Sequence, residues 1–335
     1  METLHICPST LASGYETYSP IARKRLFDGK NISPILPYNP IEEKKEETEL
    51  FLKNQEHMSL SGVQTKYSLV LREGIFELSN ETEQGTYILK PKLTNFQYKD
   101  YSPANENLTM QLAEQIYGIE TAANGLCFFM NGEMAYVTKR FDVATDGSKY
   151  RKEDFASLAG LTSENKGKDF KYDVLSYEDV AALIKKYVPA SRVELLKFFD
   201  LMLFNFLFSN GDAHLKNYSL LETSDGDFKL SPAYDLINTR VHLPSDPIFA
   251  LRKGLFKEGD KTVCPMGIYT GETFSVFGNR LGLPKNIVKR EIEKFSADYL
   301  KAEALISNSY LSDELKELYR TMYHTRRNTY LKGSM

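Results

Sequence analysis

An aspartate and an asparagine five residues apart, Asp212 and Asn217, stand in the stretch Asn210-Gly211-Asp212-Ala213-His214-Leu215-Lys216-Asn217. Phosphoryl transfer to an alcohol asks for such a pair. The carboxylate accepts the proton of the attacking hydroxyl, and the carboxamide helps hold a Mg²⁺ ion on the phosphates of a nucleotide. His214, between them, reads either as a donor to the transferring group and orienter of the loop or as a buried, structurally satisfied ring. Lys216 reads equally well as surface charge. Polar loops often carry an Asp and an Asn at this spacing, so the surrounding residues decide the chemistry.

Four further features fall in the order that such chemistry needs. Ser59-Leu60-Ser61-Gly62-Val63-Gln64 could lay backbone N–H groups and hydroxyls over a triphosphate, with Ser61, Gly62 and Val63 nearest to it, or be an ordinary surface turn. Lys90 closes the strand-like Tyr87-Ile88-Leu89-Lys90 and suits a phosphate-binding ammonium, although Lys92 is its neighbour in period two. Glu106, in the expected first turn of the next helix, could fix that ammonium or simply complement the helix dipole. Asp235, in Ala233-Tyr234-Asp235-Leu236, suits a second Mg²⁺ ligand, or a capping role before Leu236-Ile237-Asn238.

The elements that must position these residues are partly visible. Residues 1–50 read as an irregular arm broken by Pro8, Pro20, Pro34, Pro37 and Pro40, with the charge run Glu42–Glu49 starting a solvated helix. Residues 51–140 read as a small α+β lobe. Its strands run over Ser68–Leu71, Gly85–Lys90, Gly125–Met130 and Met134–Lys139. Its one helix has Ser102 as N-cap, Pro103 at the first position, Leu108, Leu112 and Ile116 at helical spacing, and Gly118 as terminator. Residues 141–335 read as mainly helical, with helices over Glu153–Leu161, Tyr177–Tyr187, Ser191–Phe208, Lys285–Ile306 and Asp313–Tyr330. Ser191–Phe208 is apolar all round, as a helix inside a large domain is. A hairpin, Tyr218–Leu221 with Asp227–Leu230, turns at Ser224-Asp225-Gly226.

The 335 residues carry a formal charge of −3, so no global field draws the chain to nucleic acid or membrane, and neither is expected as a direct partner. Three separated cysteines, Cys7, Cys127 and Cys264, fit no disulfide framework or zinc spacing and suggest a reducing cytoplasm. The first residues lack the pattern of a signal peptide, and no apolar run reaches the length of a membrane span.

Taken together, Ser59–Lys66, Ile88-Leu89-Lys90-Pro91, Asn105-Glu106, Lys139-Arg140-Phe141-Asp142, Lys152-Glu153-Asp154, Asn210–Asn217 and Pro232-Ala233-Tyr234-Asp235 resemble the HipA family of bacterial toxin kinases. The resemblance runs from about Ser59 onward; the Asp212-x-His214-x-x-Asn217 core is shared with phosphatidylinositol-kinase-like enzymes. It implies a two-lobed kinase-like fold with an unusually helical large lobe, using ATP and Mg²⁺. It further implies Asp212 as catalytic base, Asn217 and Asp235 as metal ligands, Lys90 as the phosphate lysine, and Lys139 to Phe141 as the hinge that meets adenine. Autophosphorylation on Ser59 or Ser61 is implied too, with an aminoacyl-tRNA synthetase, tryptophanyl or glutamyl, as substrate. Fifty-eight residues precede Ser59, fewer than the N-terminal subdomain of full-length HipA proteins needs. In this the chain resembles the HipT kinases of three-component systems, which implies a HipS-like small antitoxin supplying that subdomain and a HipB-like DNA-binding protein as partners. A small-molecule or lipid kinase, and a kinase-shaped binding protein without turnover, are the alternative readings.

Overall fold

The computed structural model describes residues 3–40, 64–80, 82–144, 146–264 and 266–332. Ser59, Ser61, Gly62, Val63 and the run Glu42–Glu49 lie outside the described residues.

Five antiparallel strands form the first sheet: β1 (Tyr67–Arg72), β2 (Ile75–Leu78), β3 (Tyr87–Lys90), β4 (Asn124–Phe128) and β5 (Met134–Lys139), in the order β2-β1-β3-β5-β4. β3 lies in the middle, pairing Tyr67↔Leu89 on one side and Lys90↔Tyr136 on the other. Side chains alternate across such a sheet. Leu69, Tyr87, Leu89, Cys127, Ala135 and Val137 therefore pack on one face with Tyr18, Leu26, Phe27 and Leu36. Leu126, Phe128 and Tyr136 turn the other way, toward the larger core.

The partner of the first face corrects the expectation of an irregular arm at residues 1–50. Pro20–Phe27 is a helix (α1) capped by Ser19, whose side chain accepts the Ala22 N–H, with Pro20 at its first position. Tyr18 O–H donates to the Leu126 carbonyl at 2.6 Å and Tyr87 O–H to the Leu26 carbonyl at 2.8 Å. The prolines break regular structure, but the aromatic and aliphatic residues between them cover a sheet face that would otherwise be wet.

Helix α2 (Ser102–Gln115) is almost wholly buried against the inner face. Ser102 is its first residue and not its N-cap. The hydroxyl accepts the Leu93 N–H at 2.9 Å and donates to the Lys99 carbonyl, so it ties the entering chain to the helix instead of capping it. A second sheet joins β6 (Lys152–Asp154), β7 (Ser219–Glu222) and β8 (Phe228–Leu230). The helix expected over Glu153–Leu161 thus begins as a strand and is helical only over Phe155–Leu158, where Asp154 caps it.

Helix α3 (Phe170–Asp173) is a single turn. Helix α4 (Tyr177–Tyr187) starts at a capping box of Ser176 with Asp179, and α5 (Ser191–Leu207) is the central buried helix. After a single turn at Asp260–Val263, four longer helices are described: α6 (Gly271–Arg280), α7 (Lys285–Ser296), α8 (Leu300–Asn308) and α9 (Asp313–Thr325). The expected helix Lys285–Ile306 is therefore two. Ser296 Oγ bonds back to the Ile292 carbonyl, Ala297 is extended, and Asp298 pairs with Arg327 and Lys332 of the last segment. The other expected helix, Asp313–Tyr330, ends as α-helix at Thr325 and widens into a π-type segment over Arg326–Lys332. No described helix is long and apolar enough to cross a membrane, and Cys7, Cys127 and Cys264 are buried free thiols.

Candidate active site

Lys90 is the residue from which the site is built. It ends the central strand with its side chain on the face of Ile88, Tyr136 and Thr138, opposite Leu89, and it is 3 % exposed. Its ammonium donates to Glu106 Oε1 at 2.6 Å and to Asp235 Oδ1. Burial works against the charge, but Asp235 and Glu106 outweigh it and hold the ammonium pKa above the ordinary lysine range. Lys92, the alternative in period two, is a half-buried surface cation between Asp100 and Glu133.

Glu106 lies beyond the first turn of α2, which holds no acidic residue, so the macrodipole is not what it serves. It is buried, and burial raises its carboxyl pKa against the opposing pull of Lys90. Its neighbour Asn105 clasps the segment after Asp235: Nδ2 donates to the Asn238 carbonyl at 2.8 Å, and Oδ1 accepts the Asn238 N–H at 3.2 Å. One helical turn thereby fixes both the lysine and the aspartate loop. Asp235 itself has φ 55°, a left-handed conformation unusual for an L residue and typical of positions that the surroundings over-determine. Burial would raise its carboxyl pKa, but Lys90 and Lys66 press it well below the usual carboxylate range, Lys66 donating to Oδ2 at 3.2 Å.

The catalytic-type loop hangs from the end of α5. Asn210 Nδ2 donates to Asn205 Oδ1 at 3.0 Å, and Asn205 Nδ2 donates to Tyr218 O–H at 2.8 Å, which anchors both ends of the loop to one buried amide. Gly211 N–H donates to Thr239 Oγ1. A Cβ at Gly211 would stand 2.4 Å from the Pro247 carbonyl oxygen, so only glycine allows the loop to pass there. Asn217 Nδ2 donates to the Asp212 carbonyl at 2.9 Å, so the amide oxygen is the end presented to the cleft side. Asp212, 5 % exposed, accepts the phenolic O–H of Tyr172 at Oδ1, 3.1 Å away.

His214 stacks edge-on against Tyr172, and its Nδ1 accepts the Lys216 N–H, which places the ring proton of the neutral form on Nε2. Burial, with Lys171 beside it, lowers the His214 pKa to about 3, so the ring is neutral near pH 7. A phosphoryl donor from this ring would be neutral N–H, not imidazolium.

Lys90, Asn217 and Asp235 line a cleft of about 400 Å³ together with His214, and also a small cavity beside it that Asp212 and Glu106 close. A small-molecule site spans roughly 300–1,000 Å³, so the cleft is of ligand size. Seven cationic side chains line it against the carboxylates of Asp142, Asp154 and Asp235, a local reversal of the chain's negative balance that suits a polyphosphate. Lys139 and Phe141 line the same cleft, but the Lys139 ammonium pairs with Asp28. The Lys139 and Arg140 N–H groups are already donated to the carbonyls of Ala123 and Thr86, which leaves those two donors unavailable to a base. Phe141 instead offers its ring, tilted against Tyr234 under the Lys152 ammonium.

The donor set fits a Mg²⁺–nucleotide. Magnesium takes hard oxygen donors, often one or two carboxylates with phosphate oxygens completing the shell. Asp235 and Asn217 supply such oxygens, and no group of three His, Cys, Asp or Glu side chains among the described residues forms a metal cage without phosphate. Sequence reasoning missed Tyr172 and Lys171, which sit in a short polar helix with no periodic signal. It also gave no role to Lys66, which reaches Asp235 across 169 positions of sequence.

Known proteins resemble this chain in sequence and in fold. The chain is 27 % identical over 308 residues to a Haemophilus influenzae protein named "Putative kinase", covering 88 % of this chain and 87 % of that one. It is 27 % identical over 247 residues to the serine/threonine-protein kinase toxin HipA of Shewanella oneidensis, covering 69 % and 53 %. It spans about half the length of the other curated relatives it matches. The structure of the Shewanella HipA, solved with HipB and operator DNA, superposes with a TM-score of 0.65 at 22 % identity, covering 89 % of this chain and 74 % of that one. The fold is thus the kinase-like one, a curled sheet lobe with a helical lobe. The sequence profile of the HipA-like C-terminal domain matches residues 58–302, and the chain belongs to that family.

Proposed function

We propose that this chain is an ATP- and Mg²⁺-dependent serine/threonine protein kinase acting as a cytoplasmic toxin, its cleft lying between a small lobe at residues 51–140 and a large lobe at residues 141–335. The observation that carries the reading is the convergence of Lys90, Glu106, Asp212, Asn217 and Asp235 on adjoining cavities. Bound magnesium would neutralise charge on the phosphates. Asp212, held by Tyr172, accepts the proton of the incoming hydroxyl. Lys90 exchanges Asp235 for the phosphates and keeps its bond to Glu106. His214 directs a neutral N–H, and Asn217 and Asp235 present the oxygens for the metal.

The family supports a protein substrate, with an aminoacyl-tRNA synthetase, tryptophanyl or glutamyl, as the specific proposal. The Shewanella relative was solved with HipB and DNA; a HipB-like protein, and a HipS-like small antitoxin, are the partners proposed here. Phosphate on Ser59 or Ser61 would add about −1.5 to −2 charges, repel the nucleotide phosphates and silence the enzyme. Intact-mass spectrometry of wild-type protein and Asp212→Gln, each incubated with Mg-ATP and a synthetase, tests the reading. One added phosphate on the wild-type chain and on the synthetase, with none in the variant, is expected. Because a placed base contributes roughly 10²–10⁴-fold, transfer by Asp212→Gln at the wild-type rate would refute the mechanism. In a parallel incubation with labelled ATP, the synthetase and a lipid extract, label recovered only in the lipid would refute the substrate class.

A further inference from the structure

A second cation-rich cavity, of about 320 Å³, lies among the loops between α5 and α9 and shares no lining residue with the cleft. Arg326, at the start of the π-type segment, is 8 % exposed and lines it. Its guanidinium lies over the Phe206 ring at 4.8 Å and the Tyr330 ring at 5.8 Å, and among the described residues it has neither a hydrogen bond nor a carboxylate partner. Burial and the neighbouring Arg240 both push its pKa down, to about 10. Arg240 lines the same cavity and donates Nε and Nη2 to the Asp246 main-chain carbonyl, 3.1 and 2.8 Å away. The Asp246 carboxyl accepts from Thr239 Oγ1 and does not line the cavity.

The guanidinium nitrogens are not sealed from the cavity, so the rings hold the cation from one side while its donors stay open to an occupant on the other. The Arg326 guanidinium offers a forked pair of donors matched to a planar or tetrahedral oxyanion, and Arg240, with Nε and Nη2 committed to the Asp246 carbonyl, keeps Nη1 beside it. The remaining walls include Ile248, Ile268 and Met322, which ask for an apolar body. We propose that this cavity binds a small organic oxyanion, a carboxylate or phosphate on an apolar or aromatic body, with Arg326 and Arg240 holding the anionic end. Ser209, which also lines the cavity, lies three residues before Asp212 and accepts at its carbonyl from the main-chain N–H of Thr239, the residue whose hydroxyl holds Gly211. The site stands whether or not the cleft transfers phosphate.

Calorimetry and crystal soaks of the full chain with 4-bromobenzoate test it, the bromine being located by its anomalous signal. A peak in this cavity is expected, with the neutral 4-bromobenzamide bound about tenfold more weakly or worse. Arg326→Lys, which keeps a cation over the rings but loses the fork, and Arg240→Met are each expected to weaken 4-bromobenzoate by about tenfold or more. Bromine only in the nucleotide cleft, no peak at all, or equal affinity in both variants would overturn the proposal and leave Arg326 as a packing cation. A 4-bromophenyl phosphate arm, compared with the carboxylate, tells which oxyanion fits better.

Discussion

Lys90 and Arg326 are both buried cations, yet the protein treats them in opposite ways. Lys90 sits between two carboxylates, Glu106 and Asp235, and its charge is reinforced although burial opposes it. Arg326 sits between two rings and beside another arginine, and its charge is weakened. The difference is one of exchange. A carboxylate-held ammonium can pass from Asp235 to an incoming phosphate while Glu106 stays in place, so the apo site is stable and still ready for a polyanion. An arginine with no acid at hand leaves room for an anion that the chain itself does not supply.

The comparison breaks most visibly at Lys90. Lys90→Met leaves Glu106 buried without its cation and Asp235 with Lys66 alone. Removing one partner of a buried ion pair costs about 3–5 kcal/mol, and losing a preorganised cation at the transferring group costs about 10²-fold or more in rate. Urea denaturation and labelled-ATP turnover measure the two; wild-type turnover would remove Lys90 from the phosphates. Gly211→Ala should follow in size. Its new methyl meets the main-chain oxygen of Pro247, which cannot swing aside, and the Asp246 carboxylate, which Thr239 holds. The loop must shift, for about 1–3 kcal/mol, and the turnover lost should exceed that of a distant variant of equal stability.

Much of the paired site could be read from the chain because its members announce themselves locally. Lys90 ends a β-type run, Asp212 and Asn217 follow the all-apolar helix α5, and helix α4 spans the expected Tyr177–Tyr187. The rest depended on distance. Lys66 finds Asp235, and Tyr172 finds Asp212, through tertiary packing that leaves no periodic trace. The N-terminal segment was hidden by its prolines, and α6 by Gly278, where a Cβ would strike Val288 and so close packing demands glycine inside a helix. The break at Ala297 carries no proline or glycine; contacts from Asp298 to Arg327 and Lys332 impose it. Arg326 was invisible for the same reason, since nothing near it in sequence says that it will be buried.

A third way of treating a buried charge is to remove it, and pH measures that case. His242 is buried, with Nδ1 2.8 Å from the Gln97 carbonyl and Nε2 3.0 Å from Asn105 Nδ2. The neutral ring with its proton on Nδ1 satisfies both; a second proton on Nε2 would face the Asn105 amide donor. Burial lowers its pKa to about 4. The unfolded chain, with an ordinary histidine near 6.5, therefore takes up the proton first. Stability is full above about pH 6.5 and falls as the pH drops toward 4. Between pH 7 and 5 the expected loss from this ring is about 2 kcal/mol. Denaturation of wild type and His242→Gln at both pH values should show a smaller acid loss in the variant, and equal losses would assign the effect elsewhere.

The smallest expected effect cuts closest to the comparison. If Arg326 is buried for an absent anion, then in ligand-free protein its charge is a burden, and Arg326→Met should be nearly neutral or stabilising. Methionine fills much of the same space against Phe206 and Tyr330 and makes sulfur–aromatic contacts of its own. What is lost is a cation–π term of about 0.5–2 kcal/mol, and what is regained is the desolvation of a guanidinium beside Arg240. The net change should lie within about 1 kcal/mol, against the several lost at Lys90. A melting curve of Arg326→Met beside one of Lys90→Met decides this. Should the arginine variant fall as far as the lysine variant, Arg326 is already fully compensated within the chain, and the two buried cations are alike after all.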